Sequence, residues 1–448
     1  MQQISSTRWE SMRYFIETYG CQMNKAESAA MEVDFRDRGW SRANEAEEAD
    51  LVMINTCSVR ITAENRAWGR VAHYAAKKKI RLFTLIVTGC MAERMKAEMI
   101  ARQPAIDFVL GNFQKQSLGR ILDSVSSGNG VAIIDETPVF SFAGSHWEEG
   151  SFRSFLPIMH GCDNFCSYCI VPHVRGREVS RSLESVLEEV DALAARGVRE
   201  ITLLGQNVNS WHWEQYGQIL LFPDLLKAVA DRARNGAIGR IRFISSHPKD
   251  LSDETIAVIA KDPLLAKHIH LCIQHGSDRI LGAMNRKYTS GFYMDLVDRM
   301  RKAIPDLSLS TDILMGFPGE TEEDVQDTLS LMAKARFAYA YMYHYNPREG
   351  TPAATLPDQI PDIVKKERLA RVIALQKELT RAAMKSFIGR GFEVLVEGPS
   401  SKNPDELLAR TDHDMMVVFS GDKRHIGNFA KVRLLSLRGN TFKAEEVR

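Results

Sequence analysis

Runs of strand length alternate with stretches of helical period through most of this chain, and this alternation restricts the fold more than any other feature. Near the N-terminus, the β-branched and aromatic runs RYFIETYG, ADLVMINT and RLFTLIVTG are separated by the helix-period stretches NKAESAAMEVDFRDRG and ITAENRAWGRVAHYAAKKK. Alternating strands and helices build parallel sheets with helical crossovers. We therefore expect a parallel sheet in the N-terminal part of the chain.

A cysteine follows each of these three strands: Cys21, Cys57 and Cys90. Loops at the carboxyl ends of neighbouring parallel strands lie on one edge of the sheet, where such folds bind ligands. The sequence therefore predicts that three thiolates meet at this edge. The alternative is that these cysteines are small residues packed in the interior.

The middle of the chain continues the same alternation. Between the strands lie helix patterns, one of them with Ser182 as its expected cap and Gly197 at its end. Six successive strand–helix units predict a barrel or a partial barrel, in which chemistry occurs in the loops after the strands. The expected strands lie near 155–160, 199–204, 240–245, 268–274, 307–314 and 338–344.

Three further cysteines, Cys162, Cys166 and Cys169, lie in the loop after the first of these six strands. A cubane iron–sulfur cluster needs one protein ligand for each iron, so three thiolates leave one iron open for a substrate or cofactor. Zinc is the alternative, with His160 or His173 as the fourth ligand. The remaining cysteine, Cys272, is isolated in the sequence and is expected to be a buried small hydrophobe.

Composition restricts the class of protein. The chain has 448 residues, an odd set of seven cysteines and a net charge of +1. An odd cysteine count without a secretion signal argues against a disulfide framework, and the near-zero charge gives no bulk attraction to nucleic acid. The longest apolar run, LFTLIVTGCMA, is too short to span a bilayer. We expect a cytoplasmic protein that does not enter membranes.

The tail over residues 381–448 is a separate module of short strands, which predicts a small five-stranded barrel. It carries 12 lysines and arginines against 9 aspartates and glutamates, a mild excess that favours phosphates. Its segments GPSSKNPDELLARTD and GDKRHIGNF resemble the TRAM domain, an RNA-binding module. The loop residues expected to contact RNA are Lys402, Lys423, Arg424 and His425; the alternative is that they are solvated charges on loop tips.

The chain also resembles a known enzyme family. CDNFCSYC is similar to the CxxxCxxC signature of the radical S-adenosylmethionine (SAM) superfamily. Together with YGCQMN, NTCSVR, GCMAER and TDILMGFPGETEED, it resembles the methylthiotransferases over residues 13–350. The segments TYGCQMN, RGREVSR and GQNVNSW are most similar to the MiaB-type tRNA enzymes of that family.

This resemblance implies two [4Fe-4S] clusters and SAM as cofactors. Cys162, Cys166 and Cys169 would hold the cluster that cleaves SAM to a 5′-deoxyadenosyl radical. The N-terminal trio Cys21, Cys57 and Cys90 would hold an auxiliary cluster that carries the transferred sulfur. One SAM would supply the methyl group and a second the radical. No catalytic residue is assigned beyond these ligands.

The resemblance also implies SAM contacts at the strand ends. The expected contacts are Tyr168, Gln206, Ser245, Gln274 and Asp312, although polar residues at strand ends also cap helices or satisfy backbone groups. Arg348, with the aromatic residues of YMYHYNPREG, could stack on a splayed nucleotide. The segment LCIQHGSD departs from the family pattern LPxQSGS at Cys272 and His275.

The expected function is methylthiolation of C2 of N6-dimethylallyladenosine next to the anticodon of tRNA, with a flavodoxin- or ferredoxin-type electron donor and an unknown sulfur source. Two alternatives are the same chemistry on another modified adenosine or on a ribosomal protein side chain. A third is a non-catalytic RNA-binding protein with structural cysteines. The expected domains are a flavodoxin-like sheet over 1–145, a partial (β/α)6 radical SAM barrel over 146–380 and the TRAM barrel over 381–448.

Overall fold

The computed structural model describes residues 12–59, 61–127, 140–143 and 146–447. The chain forms two compact units. The first contains the chain up to Asp163 together with Cys169–Arg181 and Leu204–Gln206, and the second contains Asn164–Tyr168, Ser182–Leu203 and Asn207–Arg448.

The first unit alternates strands and helices as the sequence predicts. Its strands are β1 (Arg13–Thr18), β2 (Ser41–Arg42), β3 (Leu51–Thr56), β4 (Thr84–Gly89), β5 (Phe108–Leu110), β6 (Arg153–Pro157), β7 (Met159–His160) and β8 (Val179–Ser180). Its helices are α1 (Gln22–Arg36), α2 (Ile61–Lys78), α3 (Cys90–Met95), α4 (Ala97–Arg102), α5 (Leu118–Ser127) and α6 (Val171–Arg175).

Strands β1 to β5 form one parallel sheet in the order β2-β1-β3-β4-β5. This is the flavodoxin-like order, so the predicted fold of this part is confirmed. All six residues of β3 are buried, because this central strand has helices over both faces. The edge strand β2 was not predicted, since its two residues are exposed and carry no apolar pattern.

The second unit contains the remaining elements. Its helices are α7 (Leu183–Ala195), α8 (Phe222–Arg234), α9 (Asp253–Lys261), α10 (Asp278–Ala283), α11 (Ser290–Ala303), α12 (Glu322–Ala335) and α13 (Asp362–Lys385). Its strands are β9 (Glu200–Leu204, whose last residue belongs to the first unit), β10 (His212–Gln215), β11 (Gln218–Leu221), β12 (Arg240–Phe243), β13 (His268–His270), β14 (Ser308–Met315), β15 (Tyr339–His344), β16 (Gly391–Pro399), β17 (Glu406–Thr411), β18 (Met416–Ser420), β19 (Phe429–Arg438) and β20 (Thr441–Glu446).

Parallel pairing joins the strands of the predicted partial barrel. Strand β12 pairs with β9, and β14 pairs with both β13 and β15. Single bridges at Ile241–Leu265 and Ser246–Leu271 connect the end of β12 to the β13 segment. The expected cap at Ser182 is also confirmed, because its side chain accepts a hydrogen bond from the Ser185 N–H at 3.2 Å. The order of these parallel strands agrees with the expected (β/α)6 partial barrel.

The last five strands close into a small barrel in the order β16-β17-β18-β20-β19, as predicted. Two buried arginines of β12 hold this barrel. Arg240 donates to the main-chain oxygens of Arg410 and Glu393, both at 3.0 Å. Arg242 donates to those of Asp412 at 3.0 Å and Thr411 at 2.6 Å.

The domain boundaries at 145/146 and 380/381 stay predictions, and the second falls inside α13. No helix of the described residues is long and apolar enough to cross a membrane.

Candidate functional site

Three cysteines of the first unit lie at the same edge of its sheet. Thr56 of β3 pairs with Gly89 of β4, so the next residues, Cys57 and Cys90, follow paired positions. Strand β1 lies on the other side of β3, and Cys21 follows it as the N-cap residue of α1. The structure therefore brings together the strand ends that carry the N-terminal cysteines.

Two glycines allow this close approach. A Cβ atom at Gly20 would lie 2.5 Å from the Cβ of Cys57, and a Cβ at Gly89 would lie 2.3 Å from the carbonyl oxygen of Thr56. Both glycines have positive φ angles, +134° and +94°, which side chains disfavour. The residue before Cys21 and the residue before Cys90 must both be small for the three loops to meet.

Buried amides fix the loops around the thiols. Asn24 donates to the Asn55 side chain and to the Thr56 carbonyl, both at 2.9 Å, which ties α1 to the end of β3. The Cys21 thiol donates to the Asn24 side-chain oxygen at 3.1 Å. The Asn112 amide reaches the Cys90 sulfur at 3.6 Å. The thiols thus lie in a preorganised polar pocket.

A buried charge cluster lies beside these thiols. Arg175 of α6 donates to both carboxylate oxygens of Glu27, and Lys115 Nζ lies 2.7 Å from Glu27 Oε2. Lys115 also donates to Asn112, the residue that reaches Cys90. Two cations against one carboxylate leave an excess positive charge in the interior, which a group of thiolates can balance.

Electrostatics favour the charged forms of Arg175 and Glu27, whereas burial opposes a charged Lys115 and lowers its pKa. Burial also opposes a charged Arg175, but interactions with Cys90 and Glu27 outweigh it, and the pKa of Arg175 lies well above its ordinary value. Burial also raises the pKa of Cys21, while Arg175 opposes that rise. The pKa of Glu27 is lowered, because Arg175 and Lys115 outweigh the cost of burial.

These residues fit an iron–sulfur cluster. Cys57 and Cys90 are almost fully buried, and Cys21 is half-buried. Three thiolates with a buried cation nearby match an anionic cluster that has one iron without a protein ligand.

The second cysteine trio lies within eight residues of chain. Cys162 and Cys169 belong to the first unit and Cys166 to the second. In the second unit, the Arg286 guanidinium donates to the Cys166 sulfur at 3.4 Å. Ser167 N and Oγ donate to the carbonyls of Met284 and Ala283, at 3.0 and 2.8 Å, which anchors the middle of the cysteine loop.

The histidines considered as zinc ligands have other environments. His160 is buried, its Nδ1 lies 3.3 Å from Arg175 Nη1, and its ring stacks on Phe140. Burial, then the charge of Arg175, lowers its pKa well below the ordinary value. His173 is exposed on α6. These contacts give His160 a role in packing beside the charge cluster.

Of the expected SAM contacts, the structure places Ser245 and Gln274 just beyond strand ends of the second unit. Both have positive φ angles, +74° and +70°. Gln274 N donates to the Asp312 carbonyl at 2.9 Å, so these two residues are adjacent. Tyr168 packs partly buried against the Phe317–Tyr345 cluster. In the first unit, Gln206 Oε1 accepts from the Gly161 N–H at 2.6 Å, next to Cys162.

Two further motifs of the sequence have defined structures. The segment GFPGETEED forms a strand-to-helix turn, in which Thr321 and Asp324 form a capping box at the start of α12. His275 is fully buried and lies 3.1 Å from Glu320, which also accepts from Arg368. His275 therefore belongs to the interior network.

Sequence reasoning missed Arg175, Glu27 and Arg286. None of them belongs to a recognised metal-ligand pattern, and their partners lie far away in the chain. Only the proximity of Arg175 to the cysteine motif, in the segment RGREVSR, could have suggested its role.

The residues expected to contact RNA lie in loops. Strands β16 and β18 both pair antiparallel with β17, so the loops that follow them share one end of the barrel. Lys402 lies in the first loop, and the turn Lys423–His425 lies in the second. Arg424 is already bound to Asp422 at 2.8 Å. Arg348 lies half-buried in the turn after β15.

Three family models match the chain. They are Uncharacterized protein family UPF0004 over residues 13–111, the Radical SAM superfamily over 156–332 and the TRAM domain over 385–447. Among solved structures, the chain is similar to the radical S-adenosylmethionine methyltransferase TsrM from Kitasatospora setae, with a TM-score of 0.58, 15% identity and 77% of each chain covered. This likeness confirms the fold.

Curated relatives cover nearly the whole chain. The protein from Treponema denticola is 50% identical over 97% of this chain and 99% of its own, and that from Treponema pallidum is 48% identical with the same coverage. The protein from Bacteroides thetaiotaomicron is 44% identical over 99% of this chain and 98% of its own. All three are named tRNA-2-methylthio-N(6)-dimethylallyladenosine synthase, and with this identity across all three matched regions the chain belongs to that family of radical SAM enzymes.

Proposed function

We propose that this chain methylthiolates C2 of N6-dimethylallyladenosine next to the anticodon of tRNA. The relatives are named for this product. The structural observation that supports the proposal is the meeting of three cysteine-bearing strand ends at one edge of the first sheet, because three thiolates there can hold a second cluster with one open iron, besides the cluster of the CxxxCxxC loop.

The proposal assigns the ligands as follows. Cys162, Cys166 and Cys169 hold the cluster that binds and cleaves SAM. The trio at the sheet edge holds the auxiliary cluster; its members are Cys21, Cys57 and Cys90. When bound, the clusters and SAM supply the electron, the radical, the methyl group and the sulfur.

Around the auxiliary trio, the protein supplies charge and rigidity. Arg175 and Lys115 offset the negative charge of the thiolates, while Asn24 and Asn112 hold the loops through buried hydrogen bonds. In the loop of the other trio, Arg286 plays the corresponding part for Cys166. Such surrounding groups orient ligands and tune the electron affinity of a cluster.

SAM contacts are proposed at Tyr168, Gln206, Ser245 and Gln274. A residue other than glycine held at positive φ costs about 1–3 kcal/mol, and such strain is concentrated at ligand sites. Hydrogen bonds hold both residues in this conformation, since the Ser245 carbonyl accepts from Val208 N at 3.1 Å and the Gln274 carbonyl accepts from Leu314 N at 2.8 Å. A SAM contact by Asp312 stays a prediction, and another role for it is argued below.

The proposed tRNA contacts are Arg348 and the two loops that follow β16 and β18 at one end of the TRAM barrel. Lys402 and Lys423 are exposed and available to phosphates. The aromatic residues of β15, with Tyr341 exposed at 45%, offer a surface on which an unstacked base can lie. A flavodoxin- or ferredoxin-type electron donor and a location in the cytoplasm, where tRNA is used, complete the proposal.

The test compares two tRNA substrates. Anaerobically reconstituted protein with about eight irons per chain is incubated with SAM, a reductant and tRNA that carries or lacks the dimethylallyl group. We expect 5′-deoxyadenosine and 2-methylthio product only from the dimethylallyl tRNA. Equal reaction of both tRNAs would favour the alternative of a different adenosine. A chain that takes up no iron during reconstitution would favour the non-catalytic RNA-binding alternative.

A matched pair of variants tests the auxiliary trio. Cys90→Ala is expected to lose about half of the iron and to stop methylthiolation, yet to retain SAM cleavage at the other cluster. Cys162→Ala is expected to lose SAM cleavage altogether. Full iron content in both variants would overturn the ligand assignment.

A further inference from the structure

A third group of potential metal ligands lies in the second unit, separate from the six cysteines discussed above. His270, Cys272 and Asp312 each offer one ligand atom, and the three atoms all lie within 4.8 Å of one another. Cys272 Sγ is 3.4 Å from Asp312 Oδ2, and His270 Nε2 is 3.5 Å from the same oxygen. No local sequence pattern groups these residues, because β13 and β14 are separated by two helices.

The spacing suits a single tetrahedral ion. A zinc ion binds sulfur at about 2.3 Å and nitrogen or oxygen at about 2.0–2.1 Å, which places tetrahedral ligand atoms about 3.3–3.6 Å apart. The two measured separations lie in this interval. The ligand set is also appropriate, because thiolate, imidazole and carboxylate are the three side-chain types that zinc accepts.

The histidine ring is oriented for this purpose. His270 Nδ1 lies 2.9 Å from the hydroxyl of Ser310, which is fully buried and also lies 2.8 Å from His268 Nε2. This contact holds one ring nitrogen and turns the other, Nε2, towards Asp312. Metal-binding histidines are commonly oriented by such a hydrogen bond from the second nitrogen.

Hydrogen bonds also hold the main chain around Cys272. Its carbonyl accepts from Arg286 Nη2 at 2.7 Å and from the Tyr288 hydroxyl at 2.9 Å, and its N–H donates to the Ser246 carbonyl at 3.2 Å. The backbone of Cys272 is therefore held before any ion binds, and its sulfur lies 3.4 Å from Asp312 Oδ2. Cys272 and Asp312 are half-buried, so an external ligand can approach them.

We propose that His270, Cys272 and Asp312 bind one divalent transition-metal ion, best matched by Zn²⁺, with the fourth position open to water or a small anion. Three protein ligands and one open position are typical of zinc sites that act on a ligand. The site goes beyond the proposed function and does not depend on it. If it forms, Asp312 is a metal ligand and is unavailable as a SAM contact.

The test measures zinc and iron in the same holoenzyme. Anaerobically reconstituted full-length protein is equilibrated with excess Zn²⁺, freed of unbound ion and analysed for both metals. We expect about one zinc per chain in addition to about eight irons. Zinc X-ray absorption should show one sulfur at about 2.3 Å and nitrogen or oxygen at about 2.0–2.1 Å.

Variants locate the ion. Cys272→Ala and Asp312→Asn should each weaken zinc binding by at least about 10-fold with full iron retained, because removing a ligand costs at least as much as removing its hydrogen-bonding partner. His212→Ala, which removes an exposed histidine, should bind zinc as the unmodified chain does. Two variants are used so that a folding defect in one, seen as lost iron, leaves the other as the test.

Three results would overturn the proposal. The first is no zinc above the iron content in the unmodified holoenzyme. The second is zinc with three sulfur neighbours, which would place it in a cysteine trio. The third is full zinc retention in an iron-replete Cys272→Ala or Asp312→Asn variant. None of these measurements uses the methylthiolation reaction, so failure here is distinct from failure of the proposed function.

Discussion

Arg175 donates from Nη1 to Glu27 Oε1 at 2.7 Å and from Nη2 to Glu27 Oε2 at 3.2 Å, and both side chains are buried. The pair joins the segment after the CxxxCxxC motif to helix α1, which starts directly after Cys21. An ion pair in this place stabilises the fold and also sets the charge around the auxiliary trio.

Replacing Arg175 with Met should affect stability and redox behaviour together. Breaking a buried ion pair costs about 3–5 kcal/mol, because the remaining charge is unpaired. The loss of a cation near Cys90 should also make reduction of the auxiliary cluster harder and move its reduction potential to more negative values. Urea unfolding and an electrochemical titration of the reconstituted protein measure the two effects.

Arg177→Met is the matched control for this variant. Arg177 is exposed and pairs with Asp163 at 2.9 Å, and exposed pairs contribute less than about 1 kcal/mol. An unchanged reduction potential in Arg175→Met would show that Arg175 stabilises the fold without influencing the iron–sulfur cluster at the auxiliary trio.

Gly89→Ala should prevent assembly of the auxiliary site. The added Cβ would meet the Thr56 carbonyl oxygen at 2.3 Å, and the φ angle of +94° disfavours any side chain. Backbone hydrogen bonds hold β3 and β4 together, so the segments that follow these strands must take up the displacement. Cys57 and Cys90, which begin those segments, should therefore move apart. We expect about four irons per chain where the unmodified protein has about eight.

A second glycine provides the control. Gly69 lies inside helix α2, and a Cβ added there meets nothing within 4 Å. Gly69→Ala should retain all the iron and raise the free energy of unfolding by about 0.5–1 kcal/mol. Equal iron in the two variants would contradict the role given to Gly89.

The second unit should lose stability as the pH falls below about 6.5. Burial, together with the charges of Arg286 and Lys249, lowers the pKa of His247 to about 2. Below the ordinary histidine pKa, the unfolded chain binds a proton that the folded protein does not, so stability decreases with falling pH until about pH 2. Between pH 6.5 and pH 5 this amounts to about 2 kcal/mol.

His247→Asn isolates this contribution. The side-chain oxygen of asparagine can still accept the hydrogen bond that His247 Nδ1 accepts from Lys249 N. Urea unfolding at pH 7 and pH 5 should show a smaller loss of stability in the variant than in the unmodified protein. Parallel pH profiles would mean that His247 is protonated in the folded protein.

Charge reversal at the barrel loops tests the tRNA contacts. Lys402→Glu and Lys423→Glu should each weaken tRNA binding. Each should also reduce the slope of log affinity against log salt concentration by about the amount that one phosphate contact contributes. Arg424→Ala should have a smaller effect, because Asp422 already binds this guanidinium. Filter binding at several salt concentrations measures both quantities.

Lys227→Glu is the control, since Lys227 is exposed on helix α8 and belongs to neither barrel loop. If it weakens tRNA binding as much as the two loop variants do, the effect reflects overall charge, and the barrel end is not the contact surface.

The sequence predicts the elements better than it predicts the surroundings of the site. The strands that end before Cys21, Cys57 and Cys90 follow from local apolar runs, and their convergence follows from the rule for parallel sheets. The short strand β2 has no such run. The pairs formed by Arg175 with Glu27 and by Arg286 with Cys166 depend on tertiary packing across more than a hundred residues, which no local pattern encodes.

The surroundings of Cys272 could not be predicted from a local sequence pattern either. As an isolated cysteine it suggested only packing, whereas the register of β13 against β14 places it beside Asp312 and near His270. The function was accessible from sequence because its cysteine spacings are specific. The roles of single polar residues required coordinates.

Arg240 and Arg242 recognise the terminal barrel through its peptide oxygens, at Glu393, Arg410, Thr411 and Asp412. Every amino acid presents such an oxygen, so these four hydrogen bonds do not depend on which side chains occupy the accepting positions. Side chains at these four positions can therefore diverge among relatives without loss of the hydrogen bonds that attach the barrel to β12.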